Sequence, residues 1–341
     1  MNNGWFVFVF FFISFFLTAL LRKYALAKSL IDVPNDRSSH SIPTPRGGGV
    51  AIVISFLSAL FFLYWKGLIP FDVMLAGTGG GVIIAIVGFL DDHGHIPARW
   101  RLLVHVTGAI WILACLGGFP PVILLGVVIN FGWLGELLAV LYLVWLLNLY
   151  NFMDGIDGIA SVEAVCVCLS ACVLYWIMGI DDLIWGPLFL SAAVVGFLYW
   201  NAPPARIFMG DAGSGFLGLM LGLLSLQASR VAPELFWAWL ILLGVFVVDA
   251  TVTLLRRLVR GDKVYEAHRS HAYQFASRRF GSHLTITIAV GLINVFWLLP
   301  LALFVTHYGF DGVLGVIIAY APLILLAWKF NAGALELKNV N

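Results

Sequence analysis

Polar positions along this chain are confined to short stretches between long apolar runs. Eleven runs stand out, at roughly 4–21, 47–65, 72–90, 102–118, 133–150, 158–178, 183–200, 213–228, 235–255, 284–305 and 310–329. Most approach the about 20 residues that a helix needs to cross the hydrocarbon of a bilayer. The pattern predicts an all-α fold, a polytopic membrane helical bundle of about 11 transmembrane helices. One stretch departs from helical patterning. FPPVILLGVVINFG, residues 119–132, is apolar and β-branched between glycines and prolines, and it predicts a small hairpin. With no repeat, low-complexity tract or linker, residues 1–341 form a single domain.

Composition strengthens this reading. The chain is 62% hydrophobic and 11% charged, whereas soluble domains carry about 25% charged residues. Of the 19 Lys and Arg residues, all but Lys66 and Arg230 fall on one side once the eleven runs are drawn. They include Arg22, Lys23, Lys28, Arg37, Arg46, Arg99, Arg101, the cluster from Arg256 to Arg279, Lys329 and Lys338. The positive-inside rule makes that side cytoplasmic, with the N-terminus out and the C-terminus in. The first run lacks a basic stretch before it and has Arg22 and Lys23 after it, so it reads as a retained helix rather than a cleaved signal. The net charge of +1 gives no sign of a nucleic-acid partner, and none is expected. Cys115, Cys166, Cys168 and Cys172 all lie within runs and read as packing residues rather than disulfides or zinc ligands.

Five loops on the inward side, 22–46, 91–101, 151–157, 201–212 and 256–283, hold nearly all the chemistry-bearing residues. Loops are polar anyway, but that does not explain why paired acids, glycines and histidines collect on one side. Asp91 and Asp92 close the third run in GFLDDHGHIP. A helix C-terminus disfavours negative charge, so adjacent carboxylates there point to function over a merely solvated end. In NLYNFMDGIDGIA, Asn148, Asn151, Asp154 and Asp157 recur every third residue, and a continuing helix would make them one polar stripe. Asp157 alone can be explained as the N-cap of the next helix. In NAPPARIFMGDAGSGFLG, Asp211 precedes a Gly-Ser-Gly turn into the eighth run. Such a helix start suits a phosphate, while Gly213, Ser214 and Gly215 equally suit close helix packing. No Walker-type Lys follows.

The basic loop RRLVRGDKVYEAHRSHAYQ places His268 and His271 three apart, on one face if helical. No third nitrogen or sulfur ligand supports zinc, so anion binding fits better, beside the bland reading of attraction to anionic lipid. Asp249 lies within the ninth run, where an acid is costly; function and pairing with Arg256 or Arg257 weigh equally. Hard oxygen ligands, cations and close-approach glycines together suit phosphoryl transfer from a charged nucleotide to a membrane-embedded acceptor.

In this order, DVPNDRSSHSIPTPRGGG, the Asp91–Asp92 pair, NFMDGIDGIA, NAPPARIFMGDAGSG and HRSHAYQ resemble the polyprenyl-phosphate N-acetylhexosamine-1-phosphate transferases, the glycosyltransferase family 4 type. The resemblance covers roughly residues 32 to 274. It implies transfer of an N-acetylamino-sugar 1-phosphate from a UDP-sugar to undecaprenyl phosphate, with release of UMP and a need for Mg²⁺, or Mn²⁺ as its substitute. By resemblance, Asp211 binds metal with Asp91 and Asp92 close by. Asp154 and Asp157, with Asn148 and Asn151, shape the donor site, and Phe208 stacks on uracil. His268 and His271 belong to a histidine loop that contacts donor phosphate or sugar, and Arg46, Arg206 and Arg269 are candidate substrate-binding cations. His95 after the acid pair and Ala272 after His271 depart from the peptidoglycan branch. RSSHSIPTPRGGG and HRSHAYQ look most like the branch that starts O-antigen, lipopolysaccharide or related surface polysaccharides. The expected setting is a multi-pass protein of the bacterial inner membrane, its site facing the cytoplasm, and by resemblance a homodimer. A secondary transporter of an anionic substrate is the competing class. It would place its acids at the midplane on broken helices rather than at the inward boundary. A metalloprotease would need HExxH, which the chain lacks.

Overall fold

A computed structural model describes residues 3–34, 39–94, 96–263 and 268–335. Arg37, His95 and Lys338 lie outside the described residues. Among these residues, fourteen α-helices follow in order. They are α1 Phe6–Ala27, α2 Val50–Trp65, α3 Phe71–His93, α4 Ala98–Leu116, α5 Trp133–Met153, α6 Ile159–Met178 and α7 Trp185–Asn201. Then come α8 Asp211–Val231, α9 Glu234–Leu242, α10 Gly244–Arg260, α11 Ala272–Phe280, α12 His283–Ile293, α13 Leu299–His307 and α14 Gly312–Lys329. A π-helical turn, Asn294–Leu298, joins α12 to α13. Among the described residues, two short hairpins are the only sheets. Ile31–Asp32 (β1) pairs with Thr44–Pro45 (β2), and Val122–Leu124 (β3) pairs with Val127–Ile129 (β4). The second is the hairpin expected in 119–132.

The polytopic helical bundle holds, but not every run becomes a full span. Among the described residues, nine helical segments are long and apolar enough to cross a membrane, with α12 to α13 counted as one. The ninth run is instead two helices, α9 and α10, bent by 72°, which make a tenth span if taken together. The second run yields only the 16 residues of α2, fewer than a perpendicular crossing needs. The four cysteines are free.

Helix α8 is the axis of the bundle. Almost all of it is buried, and α3 and α5 pack along its length. Small residues allow this. A Cβ on Gly213 would meet the Cα of Gly49 at 2.6 Å, and one on Gly222 would meet the Leu143 side chain at 2.6 Å. Without a hydrophobic drive between helices in lipid, such close approach is what holds spans together. Gly213, Ser214 and Gly215 are thus helical packing residues at the start of α8, not a turn.

Candidate active site

The N-terminus of α8 organises the site. Gly210, at φ 77°, turns the chain so that the first amides of α8 face the end of α3. There Asp92 accepts the N–H of Asp211 at 3.1 Å and that of Ala212 at 3.3 Å. Any side chain at residue 210 would strike the Asp92 carboxylate. The acid that looked misplaced at the C-terminus of α3 is therefore an N-terminal cap for α8. Its charge meets the positive end of that helix dipole. Arg46 donates from Nη2 to the Asp92 carbonyl at 2.5 Å, tying in the first loop. Next to this cap opens a cavity of about 400 Å3.

Seven expected residues line the cavity: Arg46, Asp92, Asn151, Asp154, Asp157, Phe208 and Asp211. They come from four loops, which the fold gathers at one end of the bundle. Helix α5 ends at Met153, so Asp154 lies on its C-cap and the expected four-residue stripe does not form. Asn148 stays one turn back, bonded to the Val144 carbonyl at 2.7 Å and to His105 at 3.3 Å. The N-cap of α6 is Gly158 rather than Asp157. Asp157 is instead a junction. It accepts the Ala205 N–H at 3.0 Å, and its Oδ1 lies 3.2 Å from His283 Nδ1. The other nitrogen of His283 reaches the Ser39 carbonyl at 3.1 Å. Burial pushes Asp157 up, but the bonds from His283 and the Ala205 amide outweigh it and hold its carboxyl below the usual carboxylate range. Among the described residues, Asp154 has no such partner. Burial, then repulsion from Asp211, Asp157 and Asp92, pushes it up to about 7.

Several expected site residues lie elsewhere. Asp91 does not line the cavity: its carboxylate lies 2.5 Å from Arg101 Nη1, accepts the Ile96 N–H at 2.7 Å and sits beside the Asp211 carboxylate. The same Arg101 nitrogen lies 3.2 Å from Asp211, so one guanidinium holds both acids. Arg206 is exposed, with its guanidinium 5.4 Å from the Tyr199 ring centre. Arg269 is not in the cavity wall. Nor are the two histidines. His271 is buried as the N-cap of α11, with Nδ1 3.3 Å from Asp249. His268 precedes that helix rather than sharing a face of it, and stacks on His271 at 4.9 Å. Burial, then His271 and Arg257, pushes His268 down to about 3, leaving it neutral.

Asp249 does not pair with Arg256 or Arg257 as one expectation had it. It accepts the N–H groups of Ala272 at 2.9 Å and Tyr273 at 3.0 Å, capping α11. Arg256 instead donates to the Ala332 carbonyl, and Arg257 approaches Asp262 at 3.5 Å. The basic loop is thus largely engaged in holding its own fold.

The cavity also recruits residues not named as site candidates: Asp32, Ser39, His40, Asn201 and Gln274, which lie inside the quoted motifs, and His283, which lies outside them. His40 packs edge-on against Phe208, ring centres 4.8 Å apart. Asn201 bridges the Gly158 N–H and the Ile207 carbonyl at 3.1 Å each, locking the start of α6 to the α7–α8 loop. A signal existed for some of them. Asp32, Ser39 and His40 lie in a loop whose turn residues were plain, and His283 opens a span at its polar end.

Among the described residues, no three His, Cys, Asp or Glu side chains are grouped closely enough to hold a metal ion by themselves. Four carboxylates, Asp92, Asp154, Asp157 and Asp211, nevertheless line one cavity, with His40 and His283 in the same wall. Mg²⁺ is bound through one or two carboxylates plus water and substrate phosphate, not by an all-protein cage. Asp92 and Asp157 are engaged with backbone and histidine, and Asp211 shares Arg101 with Asp91. Asp154, and Asp211 on exchanging Arg101 for a cation, are the acids that fit.

Comparison with known proteins settles the class. A family model described as glycosyl transferase family 4 matches residues 74–229. A probable undecaprenyl-phosphate N-acetylglucosaminyl 1-phosphate transferase of Bacillus subtilis strain 168 is 31% identical, over 82% of this chain and 78% of its own length. The chain belongs to the polyprenyl-phosphate N-acetylhexosamine-1-phosphate transferase family. An undecaprenyl-phosphate alpha-N-acetylglucosaminyl 1-phosphate transferase of Thermotoga maritima is 29% identical over 85% of this chain and 87% of its own length. A phospho-N-acetylmuramoyl-pentapeptide-transferase of Streptococcus pneumoniae D39 is 28% identical over 70% of this chain and 76% of its own length. Membership makes this chain a glycosyl-1-phosphate transferase built as a multi-pass membrane protein.

Proposed function

We propose that this protein transfers an N-acetylamino-sugar 1-phosphate from a UDP-sugar to undecaprenyl phosphate, releasing UMP. The observation that carries this is one cavity lined by Asp154, Asp211, Arg46 and Phe208 at the loop end of the bundle. Phe208, with His40 against it, offers an aromatic wall for uracil. Arg46 supplies positive charge for the diphosphate.

In the reaction, an oxygen of the lipid phosphate attacks the β-phosphorus of the donor. The bond from that phosphorus to the bridging oxygen breaks, and UMP leaves. A remaining proton on the lipid phosphate, whose second pKa is near 6, is lost to solvent at neutral pH. Asp91 and Asp92 are poorly placed as bases here, since one meets Arg101 and the other caps α8. Asp211 and Asp154 would hold Mg²⁺, or Mn²⁺ in its place, which when bound supplies charge neutralisation for the leaving group.

The names of the relatives favour N-acetylglucosamine as the sugar. The form of the first loop and of HRSHAYQ supports the initiating step of O-antigen, lipopolysaccharide or related envelope polysaccharide synthesis. The one-sided Lys and Arg support a site facing the cytoplasm across a bacterial inner membrane. A transporter is disfavoured because no residue of the broken pair α9–α10 lines the cavity.

The test is UMP release by purified protein given undecaprenyl phosphate, Mg²⁺ and a panel of UDP-N-acetylamino sugars, with and without EDTA. EDTA-sensitive release with UDP-N-acetylglucosamine is expected. Folded protein that releases UMP with no sugar would sink the proposal.

A further inference from the structure

A second cavity, about 330 Å3, lies between α10, α11, α12 and α14. Its wall is almost wholly apolar, including Val248, Ala276, Ile286, Ala289, Val290 and Leu323. It shares no residue with the acid-lined cavity, although α11 serves both. Gln274 faces the acids, while Ala272, Tyr273 and Ala276 face the groove. Buried Tyr273 and the Asp249 cap close the partition between them. The two spaces share no lining residue and Tyr273 stands between them, which argues against the acceptor's own tail as the occupant.

The mouth indicates another lipid. Phe280 and Phe330 stand there with ring centres 6.2 Å apart. Each is preceded by an exposed cation, Arg279 at the end of α11 and Lys329 at the end of α14. The groove is formed along α12, the first part of the span that continues into α13, and by the last half of α14, so it sits in the half of the bundle that carries the loop cavity. An apolar slot between spans, with basic side chains at its membrane-surface end, matches an anionic phospholipid, chain inside and headgroup at the cations.

We propose that this groove binds one acyl chain of an anionic phospholipid whose headgroup rests on Arg279 and Lys329. Because the chain lies against α11, its occupancy steadies the helix that carries Gln274 into the acid-lined cavity. The proposal does not depend on which sugar is transferred.

The test is native mass spectrometry of the full chain released from nanodiscs with equal phosphatidylglycerol and phosphatidylcholine, counting retained lipids. Wild type is expected to keep one phosphatidylglycerol in preference to phosphatidylcholine by about fivefold or more, the factor one cation contributes near a lipid surface. Lys329→Glu with Arg279→Glu, both at exposed positions, should abolish the preference, and Ala289→Trp should remove the bound lipid by filling the slot. Equal retention of the two lipids by wild type, or undiminished retention by Ala289→Trp, would overturn the proposal. So would displacement of the phosphatidylglycerol by added undecaprenyl phosphate, which would make the groove an acceptor site.

Discussion

Asp92 and Asp249 do the same structural job in two places. Each is an acid from a membrane helix, buried, and each accepts the first two amides of another helix, Asp92 at α8 and Asp249 at α11. What surrounds them differs. Beside Asp92 the chain adds three more carboxylates, an arginine and an aromatic around open space. Beside Asp249 it adds His271, Thr253 and an apolar groove. A buried acid in a span is thus not itself a sign of chemistry. The sign is an acid beside others that have no partner, as Asp154 is.

This contrast can be broken by mutation. The largest effect is expected at the α8 cap. Asp211→Asn should cut UMP release by roughly a hundred- to a thousandfold with the thermal midpoint close to wild type, as loss of a group stabilising developing charge does. Asp92→Ala should lose transfer as severely and also cost about 1–2 kcal/mol of stability, since the α8 amides lose their acceptor. Both readings come from one assay paired with a melting curve.

The next effect is on pH. Asp154 must be ionised to hold a cation, and its raised pKa of about 7 puts proton and cation in competition. Apparent affinity for Mg²⁺ should therefore fall by up to about tenfold for each pH unit below 7 and level off above it. Asp154→Asn should flatten that profile. A profile in which affinity instead rises on acidification would remove Asp154 from the cation site.

At the α11 cap the order of effects reverses. Asp249→Ala should cost about 1–2 kcal/mol of stability while transfer per folded molecule drops less than about tenfold, because Asp249 acts only through α11 and Gln274. Smallest of all, His268→Ala should leave transfer within about twofold, since a neutral ring stacked on His271 touches no cavity residue. A loss comparable to that of Asp211→Asn would return the histidine loop to the reacting centre.

Most of the helical runs, the hairpin at 119–132 and the polar loops between runs were legible in the sequence because each is set by local patterning. The family was legible because ordered motifs survive in one chain. What the sequence did not carry was pairing across distance. Asp92 and Asp211 are 119 positions apart, so nothing local shows that one caps the other's helix. The stripe through Asn148 and Asp157 failed because Gly155 and Gly158 end one helix and admit another, leaving Asp154 on a cap. The histidines at 268 and 271 were read as chemistry because they were spaced like it, yet His271 faces Asp249. His283 was overlooked because a single histidine at the start of a span carries no spacing at all.

The most direct test is a structure of the protein with UDP-N-acetylglucosamine bound. The uracil is expected against Phe208 and His40, with the diphosphate between Arg46 and the pair Asp154 and Asp211. A donor seated on His268 and His271, with the acid-lined cavity empty, would contradict this assignment of the reacting centre.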